Sequence, residues 1–118
     1  MAVKIFIKRY VKKGKTQEAV ELLKDVRSQA LKQPGYISGE TLICIDPPGR
    51  NEYLVRSTWH SVEDWNNWLH SEERTILDDQ IEQLSREKAE YAIYESLVSG
   101  IIPASNNQGK TNGSHLNY

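Results

Sequence analysis

One cysteine, one phenylalanine and no long apolar run mark this 118-residue sequence by what is scarce in it. Cys44 alone closes neither an intrachain disulfide nor a multi-cysteine zinc site. No stretch approaches the roughly 20 apolar residues of a membrane span. The opening residues 1–10 break their apolar positions with Lys4, Lys8 and Arg9, so they lack the apolar centre of a secretory signal. An excess of either charge is missing as well: 15 Lys and Arg stand against 16 Asp and Glu, a formal net charge of −1. That balance offers no electrostatic reason to expect nucleic acid or an anionic membrane as a partner. No glycine-rich phosphate loop follows a strand, and neither a GxSxG elbow nor an HExxH pair occurs. His60, His70 and His115 lack metal-ligand spacing, so no metal is expected. The length suits one compact domain. A soluble protein of the cytoplasm is the expectation.

What is present is regular patterning. Residues 3–11 alternate: Val3, Ile5 and Ile7 point one way, and Lys4, Phe6, Lys8 and Tyr10 the other, which is the period of a strand. Thr16 is the expected N-cap of a helix whose apolar stripe runs through Ala19, Val20, Leu22, Leu23, Val26, Ala30 and Leu31. Gln33-Pro34-Gly35 ends it. Tyr36 to Ile45 reads as a second strand with Leu42-Ile43-Cys44-Ile45 as its most buried part, and Asn51 to Trp59 reads as a third. The short polar link between them, Asp46-Pro47-Pro48-Gly49, predicts an antiparallel hairpin. Ser61 with Asp64 three residues on is a capping-box pattern opening a short helix to about Leu69. Ser71 opens another helical segment carrying Ile76, Leu77, Ile81 and Leu84, and Glu90 to Val98 is a fourth strand.

The order β-α-β-β-α-β predicts an α+β, ferredoxin-like domain over residues 1–99, with a four-stranded antiparallel sheet and helices on one face. Phe6, Tyr10, Leu54, Ala92, Tyr94 and Val98 make the opposite face too apolar for open water. Pairing with a second copy into a dimeric α/β barrel is therefore expected. Residues 100–118 are small, polar and aperiodic, and read as a C-terminal tail.

Three tryptophans fall within ten residues: Trp59, Trp65 and Trp68. Trp59, at a strand end, reads as core. Trp65 and Trp68 lie three apart on one helix, and indoles either fill a core or wall a planar ligand. His60 with Glu63, and His70 beside Ser71, read as helix-end side chains.

Lys13-Gly14, the Gln33-Pro34-Gly35-Tyr36 break, the third strand ending in Trp59-His60-Ser61-Val62-Glu63-Asp64, and Trp68-Leu69-His70-Ser71 together resemble the antibiotic biosynthesis monooxygenase family of the dimeric α/β barrel superfamily, over about residues 3–98. The resemblance implies oxygenation of a small phenol- or quinol-like aromatic by dioxygen, with no metal, flavin or other cofactor, in a dry, aromatic-lined cleft. In such a cleft Arg9 or Arg56 could hold the substrate anion, and Tyr10 or Tyr94 could donate a hydrogen bond. A second branch of the family degrades haem with a first-strand asparagine, a helical tryptophan and a histidine further along. Trp68 matches that tryptophan, while Ile7 and Asp78 stand at the other two positions, and a carboxylate is a poor axial haem ligand. Trp68, Trp65, Arg9, Ile7 and Asp78 are thus the expected substrate-binding residues. Two alternatives stay open beside the oxygenase: a non-catalytic dimeric barrel that binds a small apolar molecule, and a haem-binding or haem-degrading relative.

Overall fold

The computed structural model describes residues 1–100, so the tail expected over 100–118 lies outside the described residues apart from Gly100. The elements run β1 (Val3–Tyr10), α1 (Thr16–Ala30), β2 (Tyr36–Ile43), β3 (Glu52–Trp59), α2 (Val62–Leu69), α3 (Glu72–Gln83) and β4 (Glu90–Glu95). The strands form one antiparallel sheet in the order β2-β3-β1-β4. This is the ferredoxin-like α+β architecture that the element order predicts. Among the described residues no helix is long and apolar enough to cross a membrane.

The pleat sorts the side chains. Ile5 lies opposite Ser57 on β3 and Ile93 on β4, and Ile7 opposite Val55 and Tyr91, so these residues share the helix-covered face. Phe6 lies opposite Arg56 and Ala92, and Lys8 opposite Leu54 and Glu90, on the other face. The core fills in two clusters. Val3, Ile5, Ile7, Ala30, Trp59, Trp65 and Trp68 form one; Val11, Ala19, Leu23, Tyr53 and Ile81 form the second under the crossing of α1 and α3. Trp59 is completely buried, its indole N–H donating to Ser57 Oγ at 3.0 Å, with Tyr36 and Trp65 edge-on to its rings. Burial of a side chain that size contributes upwards of about 2 kcal/mol.

Several local expectations need correction. Thr16 is the first residue of α1 rather than its cap; Lys15 holds the N-cap position without a side-chain bond, and the Thr16 hydroxyl turns to Asn51 Oδ1 at 3.1 Å. Leu31 lies beyond the helix and is exposed. Leu42-Ile43-Cys44-Ile45 is not the buried part of β2: Ile43 is 55% and Ile45 80% exposed. The reason is position in the sheet, because β2 is an edge strand that ends at Ile43. On α3 the buried residues are Arg74 and Ile81, which puts Ile76 on the outer side. Strand β4 ends at Glu95, leaving Leu97 and Val98 outside the ladder and exposed.

The two helix starts around the tryptophans form as the sequence predicts. Ser61 Oγ accepts from the Asp64 N–H at 3.1 Å, and Ser71 Oγ accepts from the Arg74 N–H at 3.3 Å while donating to the Trp68 carbonyl at 2.8 Å. Gly35, at φ 86°, fastens the first of these starts to the sheet. Its carbonyl accepts from His60 N–H at 2.8 Å, and a Cβ there would collide with the Asp64 side chain. Only glycine suits both demands. Together these contacts set the rotation of α2 and α3 about their axes, and with it the directions of Trp65, Trp68, Arg74 and Asp78.

Candidate functional site

Helix α1 packs beside α3 over the middle of the sheet, and no comparable helix packing covers the β4 edge. The result is a cavity of about 560 Å³ between α2, α3 and β4. Its apolar surface includes Ile5, Trp65, Leu69, Tyr91 and Ile93; its polar groups include His70, Arg74 and Asp78, with Asn66 and Thr75 beside them. Tyr91 and Ile93 are about half exposed here, although they share the pleat face of buried Ile5 and Ile7. The volume is in the range of small-molecule sites.

A line of polar groups crosses the cavity wall. Arg74 Nη2 donates to the Tyr91 hydroxyl at 2.8 Å, and that hydroxyl lies 3.4 Å from Asp78 Oδ1. The same carboxylate oxygen accepts from Arg9 Nη2 at 2.7 Å. Arg9, only 3% exposed on the helix face of β1, also faces Glu82 at 3.6 Å. Two carboxylates thus compensate one buried guanidinium, although Arg9 Nε and Nη1 remain sealed without acceptors within hydrogen-bond distance. Arg74 is as buried, at 4%, and is held differently: its guanidinium lies 5.4 Å from the Trp65 ring centroid and 5.5 Å from that of Tyr91. At the α2–α3 junction the His70 Nδ1 lies 2.9 Å from the Asn66 carbonyl. A carbonyl only accepts, so Nδ1 carries the proton and Nε2 is the nitrogen left for other partners. Among the described residues no group of three His, Cys, Asp or Glu side chains is placed to hold a metal ion.

The expected site residues divide. Trp65 and Asp78 line the cavity, and Arg9 reaches it through Asp78. Trp68 and Ile7 do not: both are closed into the core with Val3, Ala30 and Trp59. Trp68 instead borders a void of only about 40 Å³ between α1 and the β2–β3 side of the sheet, room for little more than a water. Arg56 is on the opposite sheet face, bonded to Glu40 at 3.0 Å and Thr58 at 2.8 Å. Tyr94 is on that face too, edge-on to Phe6 at 5.1 Å. Tyr10 shares it; its hydroxyl donates to Glu90 at 3.1 Å, and burial together with that carboxylate raises its pKa above the ordinary 10.0. The haem-degrading set is not assembled either, because Asp78 is engaged by Arg9 and Ile7 is closed in the core. Arg74 and Tyr91 were not singled out from the sequence. The signal for Arg74 was its place in the first turn after the Ser71 cap, where the helix dipole disfavours a cation. A cation retained there, and buried, needs another reason to be present.

Comparison with known proteins places this geometry. The family model for antibiotic biosynthesis monooxygenase matches residues 2–75, from β1 into α3 and so through Trp65 and Arg74. No curated protein matches the sequence. Among solved structures, SnoaB, a cofactor-independent oxygenase from Streptomyces nogalater, is similar at 16% identity with a TM-score of 0.72, over 84% of this chain and 97% of that one. A conserved protein from Methanosarcina mazei is similar at 19% identity with a TM-score of 0.74, over 80% and 91% of the two chains. At such identities the structural likeness establishes the fold, and the family match supports a monooxygenase-type function. The fold and more than half of the sequence therefore agree: the chain belongs to the antibiotic biosynthesis monooxygenase family.

Proposed function

We propose that this chain is a cofactor-independent monooxygenase that oxidises a small phenol- or quinol-like aromatic in the cavity between α2, α3 and β4. The observation that carries the reading is the cavity itself: about 560 Å³ bounded by Trp65, Tyr91, Leu69 and Ile93, with one carboxylate, Asp78, held in its wall by Arg9. The chemistry asks for little more. Ground-state dioxygen is a triplet and reacts sluggishly with closed-shell molecules, but an electron-rich phenolate can give it one electron and recombine with the superoxide at a ring carbon. The resulting peroxide loses water. Phenol plus dioxygen then yields quinone plus water, the substrate supplies all four electrons, and no external reductant enters the balance. The protein's part is to stack the ring against apolar and indole surface, to accept the phenolic proton at Asp78, and to keep bulk water from the peroxide.

The open sheet face supports the second half of the proposal, a homodimer. Phe6, Leu54, Ala92 and Tyr94 form an apolar hollow of about 600 Å³ there, edged by Lys4, Lys8 and Glu90. A surface of that kind favours association. Sedimentation velocity at micromolar concentration is expected to give a dimer, and a monomer would remove this half of the proposal.

The enzymatic half is tested by dioxygen uptake with a panel of hydroquinones and naphthols. One labelled oxygen atom should appear in the product quinone and the other in water, and Trp65→Ala should lower the rate at least about tenfold, the scale of losing a positioning contact. Binding of the panel without dioxygen uptake by any member would instead leave a non-catalytic binding barrel.

A further inference from the structure

We infer that Arg74 is an oxyanion receptor, and that the substrate class of this cavity is an aromatic carrying a negatively charged oxygen group, carboxylate or phenolate, rather than a neutral ring. The inference rests on the cavity being the ligand site proposed above. Its starting point is the contrast between two buried arginines. Arg9 has Asp78 at 2.7 Å and Glu82 at 3.6 Å. Arg74 is equally buried and lines the cavity, yet no carboxylate among the described residues pairs with it. Its one hydrogen bond goes to the neutral Tyr91 hydroxyl. One turn further along α3, Asp78 spends Oδ1 on Arg9, and the exposed Glu72 and Glu73 that precede Arg74 form no ion pair with it.

Residues 101–118 add no acidic side chain, since they contain neither aspartate nor glutamate. A guanidinium withdrawn from water without a counterion is costly, and it is retained only where something compensates it. The two rings flanking Arg74 compensate in part. They also hold the planar group in place, which lowers the entropy lost when it forms a two-pronged bond to an oxyanion.

Two further features point the same way. Arg74 lies in the first turn of α3, a 12-residue helix whose N-terminal dipole disfavours a cation and favours an anion. Its Nε and Nη1 make no hydrogen bond among the described residues, and the side chain lines the cavity. The donors left over are therefore those a ligand can reach. An aromatic acid or phenolate would set its ring among Trp65, Tyr91 and Ile93 and its charged oxygens on Arg74.

The test uses the full-length protein and calorimetric titration with matched probes at one pH. Para-hydroxybenzoate is compared with para-hydroxybenzamide, and para-nitrophenolate with para-nitroanisole; whichever anion wins over its neutral partner identifies the oxygen group. The charged member of at least one pair should bind roughly tenfold tighter or more, the scale of a charge-assisted hydrogen bond. Arg74→Met should erase that preference, and should not lower the melting temperature in the absence of ligand, since it replaces a buried charge that has no counterion with apolar volume. Should the variant fold poorly, the wild-type preference and a rise in melting temperature with the anion alone still decide the matter. Equal affinity within both pairs overturns the inference while leaving the cavity as an aromatic site. A preference that survives Arg74→Met also overturns it. Failure of all four probes to bind removes the inference and the ligand-site reading together.

Discussion

Trp65 and Trp68 stand one helical turn apart on α2, come from the same indole-rich stretch, and are almost equally buried, yet they belong to different regions. Trp68 turns toward α1, whose Val26 and Ala30 close over it and leave a void of about 40 Å³. Trp65 turns toward β4, where no helix completes the layer and a cavity of about 560 Å³ remains. The difference does not lie in the residues themselves. It comes from the asymmetry of a four-stranded sheet over which α1 and α3 pack against each other, leaving one margin open. On the closed side the indole meets only other core side chains; on the open side it also borders the cavity.

Removing the two rings sharpens that contrast. Trp68→Ala should cost about 3–5 kcal/mol, because it empties a site with no freedom to collapse. Trp65→Ala should fall toward the low end of that range, since the space it vacates joins the neighbouring cavity rather than forming a sealed void, and should show its larger effect on ligand affinity. Thermal or urea unfolding of both variants measures the pair. Equal destabilisation with unchanged ligand affinity in Trp65→Ala would erase the distinction between the two regions.

A smaller effect separates both regions from the open sheet face. Tyr10 has its pKa raised by burial and by its hydrogen bond to Glu90. In the unfolded chain the phenol loses its proton near its ordinary 10.0, before the folded one does, so the unfolded state binds fewer protons and stability falls as pH rises from there toward the folded value. The contribution is fully present below pH 10. Alkaline unfolding curves should accordingly lose part of this limb in Tyr10→Phe, whereas the Trp65 and Trp68 variants should keep it.

Much of the frame was legible because it is local. The alternation in β1, the serine caps at Ser61 and Ser71, and the Pro34-Gly35 break each express a rule spanning a few residues, and each stands where the rule puts it. What depends on the order of strands across the sheet was not legible. Leu42 and Ile43 have the composition of a buried strand and lie at an edge. The site followed the same division. Trp65 and Asp78 could be named from the sequence, but whether Trp65 or Trp68 faces the cavity depends on where α1 lies. Tyr91 carries no local mark at all. Arg74 carried one, a cation at the wrong end of a helix, which becomes informative only once its burial is known.

The account turns on a guest molecule meeting Trp65 and not Trp68. Fluorine NMR of protein labelled uniformly with fluorotryptophan, its three resonances assigned by single substitutions and titrated with a hydroquinone or an aromatic acid, observes this directly. The Trp65 signal should shift with saturation while those of Trp59 and Trp68 stay in place. A shift confined to Trp68, or saturable binding that moves none of the three, would contradict it.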